Sequence, residues 1–252
     1  MKQPIICTSP YLRTTIHTQQ VARDIVEALD RAGIEHREIK NTNDYWCRDY
    51  MPVLLFEDGA YSQYQYRPDY LWDYKTKQQF ITDQTEACEE LNLFMPANMR
   101  IVFDGGNYVR CGNKVIVTDK IFAENPDWSA NDLLHHLHHT LCADIIIIPW
   151  DMRDKCGHAD GMVAPLDDGR LLLNNYVQYK KDTAFYKRLH KILDAHFDVV
   201  DLSYNCKLEP DAWCYLNFLN LPNGVLLPML SKNFDCDNDK EAIRMMTGLF
   251  PG

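Results

Sequence analysis

The chain has 252 residues, 46% hydrophobic and 25% charged, which is the composition of a globular protein long enough for a substantial core. Its formal net charge of −10 argues against a nucleic acid or an anionic membrane as partner, because both need a basic binding surface. The sequence contains no apolar run long enough to predict a membrane span. Its nine cysteines include no Cys-x-x-Cys pair, which favours free thiols in a reducing cytoplasm over disulfides or a cysteine zinc site.

Apolar residues recur at helical spacing in five stretches of the chain. In the first stretch Val21, Ile25 and Leu29 share one stripe, and Gly33 follows its end. Ser129 is a suitable N-cap for the third helix. The predicted helices cover Thr18–Ala32, Thr82–Leu91, the residues after Ser129 to Leu141, Asp182–His196 and Asp239–Thr247.

Pairs of strand-like runs lie between these helices and are joined by short turns that contain glycine, which predicts β-hairpins. The predicted hairpins pair Val53–Phe56 with Tyr61–Tyr66, Tyr108–Arg110 with Val115–Thr118, Met162–Pro165 with Leu171–Asn174, and Cys214–Leu219 with Val225–Leu230. The predicted single strands are Ile5–Thr8, His36–Ile39, Arg100–Phe103, Ile145–Pro149 and Val199–Leu202.

Hairpin, helix and strand therefore recur about every fifty residues, a period typical of propeller-like arrays. We predict an α/β fold of five such units in one domain that covers residues 1–252. The first unit has one strand before its helix, and the fifth has no strand after its helix. We therefore expect an array that is unclosed by about two strands at its C-terminal end.

Three motifs lie between the last strand of one unit and the next hairpin, where loops of a strand array collect functional groups. They are Asn-Asp-Tyr-Trp-Cys-Arg-Asp-Tyr-Met-Pro at 43–52, Phe-Asp-Gly-Gly-Asn at 103–107 and Cys-Gly-His-Ala-Asp-Gly at 156–161. In the first, Asp49 directly precedes a hairpin, a position that suits a carboxylate aimed into a cavity. The alternative is a surface turn of Arg48 and Asp49 with Trp46 in the core. In the second, two glycines after Asp104 permit a tight bend and close ligand approach, and the alternative is a plain turn.

In the third motif, His158 and Asp160 point to one face if the segment is extended. A histidine beside a carboxylate is a natural general acid and base, and a hydrogen-bonded turn histidine is the alternative. Together the motifs predict a cavity rich in carboxylates. Such a cavity suits a planar guanidinium group, because carboxylates bind it through paired hydrogen bonds.

The motifs at Trp46–Asp49, Asp104–Asn107 and Gly157–Asp160 resemble those of the agmatine deiminase and bacterial peptidylarginine deiminase family in content, order and spacing. The resemblance covers the chain from Thr42 onward. It implies a five-bladed α/β propeller of pseudo-fivefold symmetry, a negatively charged central pocket, and neither a metal nor an organic cofactor. It also implies a small cationic guanidino substrate or a peptidyl arginine, and putrescine biosynthesis if the substrate is agmatine.

The resemblance further implies a role for each matching residue. Asp49 and Asp160 would hold the guanidinium nitrogens, and His158 would pass protons to the leaving amine and then from water. Asp104 stands where the family more often has Glu and would be a supporting carboxylate. The other matching motif residues that would bind substrate are Trp46, Arg48 and Asn107. A cysteine thiolate would attack the guanidinium carbon, ammonia would leave, and water would release the ureido product.

In the family that cysteine follows the last strand of the fifth unit, a point just beyond Gly252 in this sequence. We expect either a longer enzyme or a natural variant without the nucleophile, and Cys47 and Cys156 are the alternatives within the chain. Amidino transfer to an acceptor amine, guanidine binding without catalysis, and metal-dependent hydrolysis also stay open. The oligomeric state is not predicted.

Two further segments allow more than one interpretation. Residues 135–139 place four histidines around the third predicted helix, with His135 and His139 on one face. The pattern lacks the Glu of His-Glu-x-x-His, and four histidines around a helix cannot converge on one ion, so a solvated face is favoured over a zinc site. The tyrosine-rich segment Tyr61–Tyr74, with Trp72, predicts a lid over an aliphatic substrate stem or a strand and loop packed on their own aromatic rings.

Overall fold

The computed structural model describes residues 5–56, 59–178, 183–222 and 224–250. The chain divides into two compact units, and each combines helices with β-strands. The first unit runs through Met1–Asn107 and Lys120–Ala143, and the second through Tyr108–Asp119 and Asp144–Gly252. The expectation of one domain over residues 1–252 stays a prediction. Within the described ranges, no helix has both the length and the apolar composition that a bilayer crossing requires.

The first unit contains the strands and helices up to β5, together with two later helices. Its strands are β1 (Ile6–Thr8), β2 (His36–Glu38), β3 (Val53–Phe56), β4 (Ala60–Tyr66) and β5 (Phe94–Phe103). Its helices are α1 (Tyr11–Thr14), α2 (Gln19–Ala32), α3 (Cys47–Tyr50), α4 (Asp69–Trp72), α5 (Gln84–Cys88), α6 (Lys120–Glu124) and α7 (Ala130–Leu141). Short 3-10 helices cover Gln78–Phe80, Glu89–Leu91 and Gly105–Asn107.

The main sheet of the first unit has the order β3-β4-β5, and β1 pairs in parallel with β2 elsewhere in the unit. Strands β3 and β4 form the predicted antiparallel hairpin, and β5 runs parallel to β4. Gln63 pairs with Asn98 but Gln65 pairs with Val102, so β5 bulges between these two positions. Arg100 lies in the bulge with a φ of 54°.

Helix α7 buries the apolar stripe that its sequence predicts, whereas α2 buries only part of its predicted stripe, because Val21 is 49% exposed and Ile25 is half-buried. Leu29 of α2 and Leu133, Leu137 and Leu141 of α7 are fully buried, at the spacing that places residues on one helix face. Both predicted helix ends are confirmed. Gly33 follows α2 in the left-handed conformation, with a φ of 66°. The Ser129 hydroxyl accepts a hydrogen bond from the Asp132 N–H at the start of α7.

The second unit begins with a hairpin and ends with a helix. Its strands are β6 (Val109–Cys111), β7 (Lys114–Thr118), β8 (Asp144–Ile148), β9 (Val163–Pro165), β10 (Arg170–Leu173), β11 (Asp198–Asp201), β12 (Leu219–Leu221) and β13 (Gly224–Leu226). Its helices are α8 (Thr183–Asp194) and α9 (Asp237–Leu249). Short 3-10 helices cover Tyr176–Gln178 and Ala212–Leu216.

The sheets of the second unit repeat the pattern seen in β3-β4-β5. Strands β6-β7-β8 and β9-β10-β11 each join an antiparallel hairpin to a third strand in parallel pairing. Strands β12 and β13 form a further antiparallel hairpin. The predicted succession of hairpin and parallel strand is therefore present three times in the described residues. None of the sheets that these residues form is closed.

Strand β10 separates two hydrophobic clusters of the second unit. Its Leu171 and Leu173 join the cluster that contains Leu189 of α8, whereas Leu172 joins the cluster that contains Tyr215. Side chains alternate between the two faces of a strand, and both faces of β10 are covered. This explains why three leucines follow one another in β10, rather than an alternation of apolar and polar residues.

Asp239, in the first turn of α9, is fully buried and accepts hydrogen bonds from several donors. Its carboxylate oxygens lie 2.8 Å from the Leu230 N, 2.9 Å from the Ser231 N and 2.8 Å from the Tyr215 hydroxyl, and the Ser231 hydroxyl also contacts it. Burial alone would raise the pKa of Asp239, but these hydrogen bonds lower it to about 2. The carboxylate therefore fixes the start of α9 to the segment that precedes it.

Two sequence-based predictions are wrong in detail. The predicted strand Cys214–Leu219 is a 3-10 helix over Ala212–Leu216, and the hairpin begins only at Leu219. Ala212, Tyr215 and Leu216 are buried at helical rather than alternating spacing, which explains the difference. The predicted helix Thr82–Leu91 is shorter, because Asp83 caps α5 and the chain changes to a 3-10 helix after Cys88.

Some predicted residues lie outside the described part of the chain. These are Glu57 and Asp58 of the first predicted turn, Asp182 at the start of the fourth predicted helix, and Asn223 of the last predicted turn.

Candidate functional site

The four residues with predicted catalytic roles are divided between the two units. Asp49 and Asp104 belong to the first unit, and His158 and Asp160 belong to the second.

Asp49 lies in the single helical turn α3 directly before the β3–β4 hairpin. Its N–H donates to the Trp46 carbonyl at 3.0 Å, and its own carbonyl oxygen lies 2.6 Å from the Tyr64 hydroxyl. Asp49 is 9% exposed, whereas Trp46 is 56% exposed. The alternative of a surface turn above a core tryptophan is therefore wrong, and the tertiary fold holds the Asp49 backbone in place.

Asp104 follows β5 and is 2% exposed. One of its carboxylate oxygens accepts a 2.6 Å hydrogen bond from the Tyr70 hydroxyl, and the other accepts one from the Gly106 N–H at 3.1 Å. Its carbonyl oxygen accepts from the Asn107 N–H at 3.0 Å. Asn107 is likewise 2% exposed, so the whole Asp-Gly-Gly-Asn turn is buried.

The first glycine of this turn explains how the two acidic motifs fit together. A Cβ atom on Gly105 would lie 1.8 Å from the carbonyl oxygen of Arg48. Atoms cannot approach so closely, so only glycine allows the turn to pack against the backbone of α3. The Arg48 backbone therefore makes the close approach at Gly105, and the predicted approach of a ligand stays a prediction.

Asp49 and Asp104 are brought together in the first unit, with carboxylate oxygens within 4.8 Å of one another. Buried tyrosines surround them. The pKa values of Tyr64, Tyr66 and Tyr70 are raised by burial first and then by the charges of Asp104 and Asp49. These hydroxyls therefore stay protonated and remain hydrogen-bond donors. The paired carboxylates could hold a guanidinium group or an ion that prefers oxygen ligands.

A buried lysine lies over the ring of Tyr70. Lys120 is 2% exposed, and its Nζ lies 2.9 Å from Asp69 Oδ1, 2.8 Å from Glu124 Oε1 and 5.4 Å from the centre of the Tyr70 ring. Burial raises the pKa of Glu124 to about 7, against the opposing effect of Lys120. This cluster connects α4 to α6 beside the tyrosine that holds Asp104.

In the second unit, His158 lies on a loop that Asp154 organises. The Asp154 carboxylate accepts from the Cys156 N–H at 2.9 Å and from the His158 N–H at 3.0 Å. The Thr118 hydroxyl donates to the Gly157 carbonyl at 2.7 Å, and Gly157 has a φ of 69°. These bonds attach the loop to the end of β7, and the left-handed conformation explains the glycine before the histidine.

Asp160 is half-buried in a turn rather than in an extended segment. The N–H groups of Met162 and Val163 both donate to the Ala159 carbonyl at 2.9 Å. The argument that His158 and Asp160 share one face of an extended chain therefore does not apply. The Asn174 side chain donates to the Gly161 carbonyl at 2.7 Å and fixes the end of this turn.

The two cysteines within the motifs differ in their surroundings. Burial is the main cause that raises the pKa of Cys47 to about 11, and its Sγ lies 3.1 Å from the Tyr50 hydroxyl. A thiol with so high a pKa is protonated at neutral pH and is a poor nucleophile, which argues against Cys47 as the attacking group. Cys156 is half-buried on the loop that Asp154 holds.

Sequence reasoning missed the residues that position these motifs. Tyr64, Tyr70 and Asp154 contact motif residues directly, but only the tyrosines lie in a segment that the sequence singled out. Tyr64 and Tyr66 are buried and pack edge-on against Phe103 and Tyr50, respectively. These two tyrosines therefore pack on aromatic rings from other elements rather than on those of their own segment, and a lid stays a prediction.

Solved structures with this fold include several enzymes. Agmatine deiminase of Enterococcus faecalis matches with a TM-score of 0.73 and 15% identity, over 99% of this chain and 86% of that one. Agmatine deiminase of C. jejuni matches with a TM-score of 0.70 and 15% identity, over 99% of this chain and 85% of that one. DDAH from Pseudomonas aeruginosa, complexed with citrulline, matches with a TM-score of 0.56 and 13% identity, over 97% of this chain and 90% of that one. Identities this low establish the α/β fold alone.

Sequence comparison gives the family. No curated protein sequence matches the chain significantly. The sequence profile of the Porphyromonas-type peptidyl-arginine deiminase family, however, matches residues 7–252. The match includes all three motifs, and the chain belongs to this family.

Proposed function

We propose that the chain deiminates a guanidino group of a small cationic compound or a peptidyl arginine, with release of ammonia and a ureido product. The observation that supports this most directly is the pair of buried carboxylates, Asp49 and Asp104, whose oxygens lie within 4.8 Å of one another. Two anionic groups so close are stabilised by a cation. A guanidinium group is a planar cation with several N–H donors, which suits two fixed carboxylates.

The proposed reaction proceeds through a covalent intermediate. A cysteine thiolate attacks the guanidinium carbon, and His158 protonates the departing nitrogen, which leaves as ammonia. His158 then takes a proton from water, and the resulting hydroxide attacks the thiouronium carbon. The C–S bond breaks as the added hydroxyl loses its proton to solvent, which releases the ureido product and the thiolate. Asp49 and Asp160 hold the guanidinium nitrogens, Asp104 supports them, and Trp46, Arg48 and Asn107 bind substrate.

We further propose a five-bladed α/β propeller and a cytoplasmic location. The propeller is supported by the three described sheets that share one order of hairpin and parallel strand. The location is supported by the cysteines, none of which forms a disulfide in the described part of the chain.

Product analysis tests the proposed activity. The protein, in the form made by its own host, is incubated with agmatine, with arginine and with an arginine-containing peptide, and ureido product and ammonia are measured. Its intact mass is compared with that of the 252 residues to identify any further cysteine. We expect Asp49→Asn, Asp160→Asn and His158→Gln to abolish the product. Retained turnover in these variants would refute the assigned roles.

Matched controls separate loss of chemistry from loss of fold. Asp73→Asn and His17→Gln make the same chemical changes at exposed positions and should leave turnover unchanged. Transfer of the amidino group to an acceptor amine, with release of the donor as its free amine and without ureido product or ammonia, would indicate an amidinotransferase. Binding without turnover or a covalent adduct with a haloacetamidine would indicate a binding protein, and loss of activity with EDTA would indicate a metal hydrolase.

A further inference from the structure

The four histidines of helix α7 divide into two pairs with different environments. His136 contacts the Met99 carbonyl in the β5 bulge and packs on the Trp128 ring, with ring centres 4.9 Å apart. The Nδ1 of His138 lies 2.9 Å from the Ala143 carbonyl. These two residues therefore hold the helix to its own unit. His135 and His139 contribute to neither contact, and both are exposed.

His135 and His139 lie one helical turn apart with their ring nitrogens facing each other. Their Nε2 atoms share a hydrogen bond of 3.0 Å, and the ring centres are 4.3 Å apart, so a metal ion that binds both nitrogens takes the place of this bond. The opposite face of α7 buries Leu133, Leu137 and Leu141 completely. The backbone that carries the two imidazoles is therefore fixed by the core, and the pair is preorganised rather than drawn together from flexible loops.

We propose that His135 and His139 form a surface site for a divalent transition-metal ion of tetragonal preference, represented by Ni²⁺ or Cu²⁺. Imidazole nitrogens bind such ions at about 2.0–2.1 Å, so two nitrogens 3.0 Å apart subtend roughly 90° at a shared ion. A right angle is the angle between neighbouring ligands in tetragonal coordination. Water completes the remaining positions.

This site is independent of the proposed deiminase activity, and its test needs no activity assay. Untagged protein is titrated with NiCl₂ in a calorimeter, and the melting temperature is recorded with increasing Ni²⁺. We expect one ion to bind and the melting temperature to rise with concentration, because a ligand that prefers the folded chain stabilises it. His135→Gln and His139→Gln should each weaken binding more than about tenfold, since even the loss of a supporting partner costs about that much.

The control is His138→Gln, which changes a neighbouring histidine but should retain the affinity of the unaltered protein. Equal Ni²⁺ binding by the unaltered protein and by the double variant H135Q/H139Q, which keeps every cysteine, would overturn the proposal. An equal loss in His138→Gln would overturn it as well.

A second measurement uses the unaltered protein and does not depend on the folding of any variant. Diethyl pyrocarbonate modifies exposed histidines, and peptide mass spectrometry locates the modified residues. Ni²⁺ should protect His135 and His139 together but leave the exposed His17 reactive. Equal modification of His135 and His139 with and without Ni²⁺ would refute the site.

Discussion

The hydrogen bond from Tyr70 to Asp104 provides a sharp test of how the first acidic pair is held. Tyr70→Phe removes one hydroxyl and keeps the ring beside Lys120. The lost bond is 2.6 Å long and joins a half-buried donor to a carboxylate that is 2% exposed. Hydrogen bonds to charged groups contribute about 1.5–3 kcal/mol, so the melting temperature should fall by about 3–12 °C.

The same variant should lose activity if Asp104 supports the substrate. Without the hydroxyl, one carboxylate oxygen loses the donor that fixes its direction, and we expect kcat/KM for deimination to fall by about tenfold, equivalent to about 1.4 kcal/mol. Tyr74→Phe is the matched control, because it removes a hydroxyl from a side chain that is 55% exposed in the same segment.

Thermal unfolding and steady-state kinetics of both variants distinguish the possible outcomes. If Tyr70→Phe and Tyr74→Phe are equally stable, the reasoning about the buried bond is refuted. If Tyr70→Phe is less stable but turns over substrate normally, the bond stabilises the fold and the prediction that it orients Asp104 for the reaction is refuted.

Three further predictions concern other buried groups. Gly105→Ala should destabilise the chain by about 3 kcal/mol or more, because its Cβ would overlap the Arg48 carbonyl; Gly248→Ala, which meets no atom within 4 Å, should not, and equal melting temperatures would contradict this. The pKa of Glu124 is raised from 4.5 to about 7, so the folded chain keeps a proton that the unfolded chain has lost, and stability should fall as pH rises through this window. In urea unfolding, the stability of Glu124→Gln should not show this decline. Parallel pH profiles of the variant and the unaltered protein would contradict the raised pKa of Glu124. Asp239→Asn should cost about 3 kcal/mol at neutral pH, and the deficit should shrink as acid protonates the wild-type group from about pH 4 to about pH 2, whereas a constant deficit would contradict the lowered pKa.

The sequence predicted the hairpins well because their turns are encoded locally. Gly112 at the β6–β7 turn has a φ of 57°, a conformation that glycine adopts readily. At the β9–β10 turn, Asp167 Oδ1 accepts from the N–H groups of Gly169 and Arg170 at 3.0 and 2.8 Å. Such contacts span only a few residues, so composition alone indicates them.

Contacts between distant residues could not be predicted in the same way. The sequence grouped Asp49 with Asp104, and their carboxylates do lie close together. The bond from Tyr70 to Asp104, however, joins residues 34 apart and depends on how α4 packs. Asp154 was also missed, because an acidic residue in a loop gives no local sign that it will bind the backbone N–H of His158. The chemical character of the motifs could therefore be predicted from the sequence, whereas the residues that position them could be identified only from the structure.

The fit of Gly105 against Arg48 also bears on how the two acidic motifs can change over generations. Residues 57 positions apart share one steric constraint, so a mutation in either loop is accepted or rejected according to the shape of the other. Transplanting the Trp-x-Arg-Asp segment from a relative without its matching Asp-Gly-Gly-Asn turn would import a mismatch even where every reactive side chain is identical. The two loops are therefore expected to change together rather than one motif at a time.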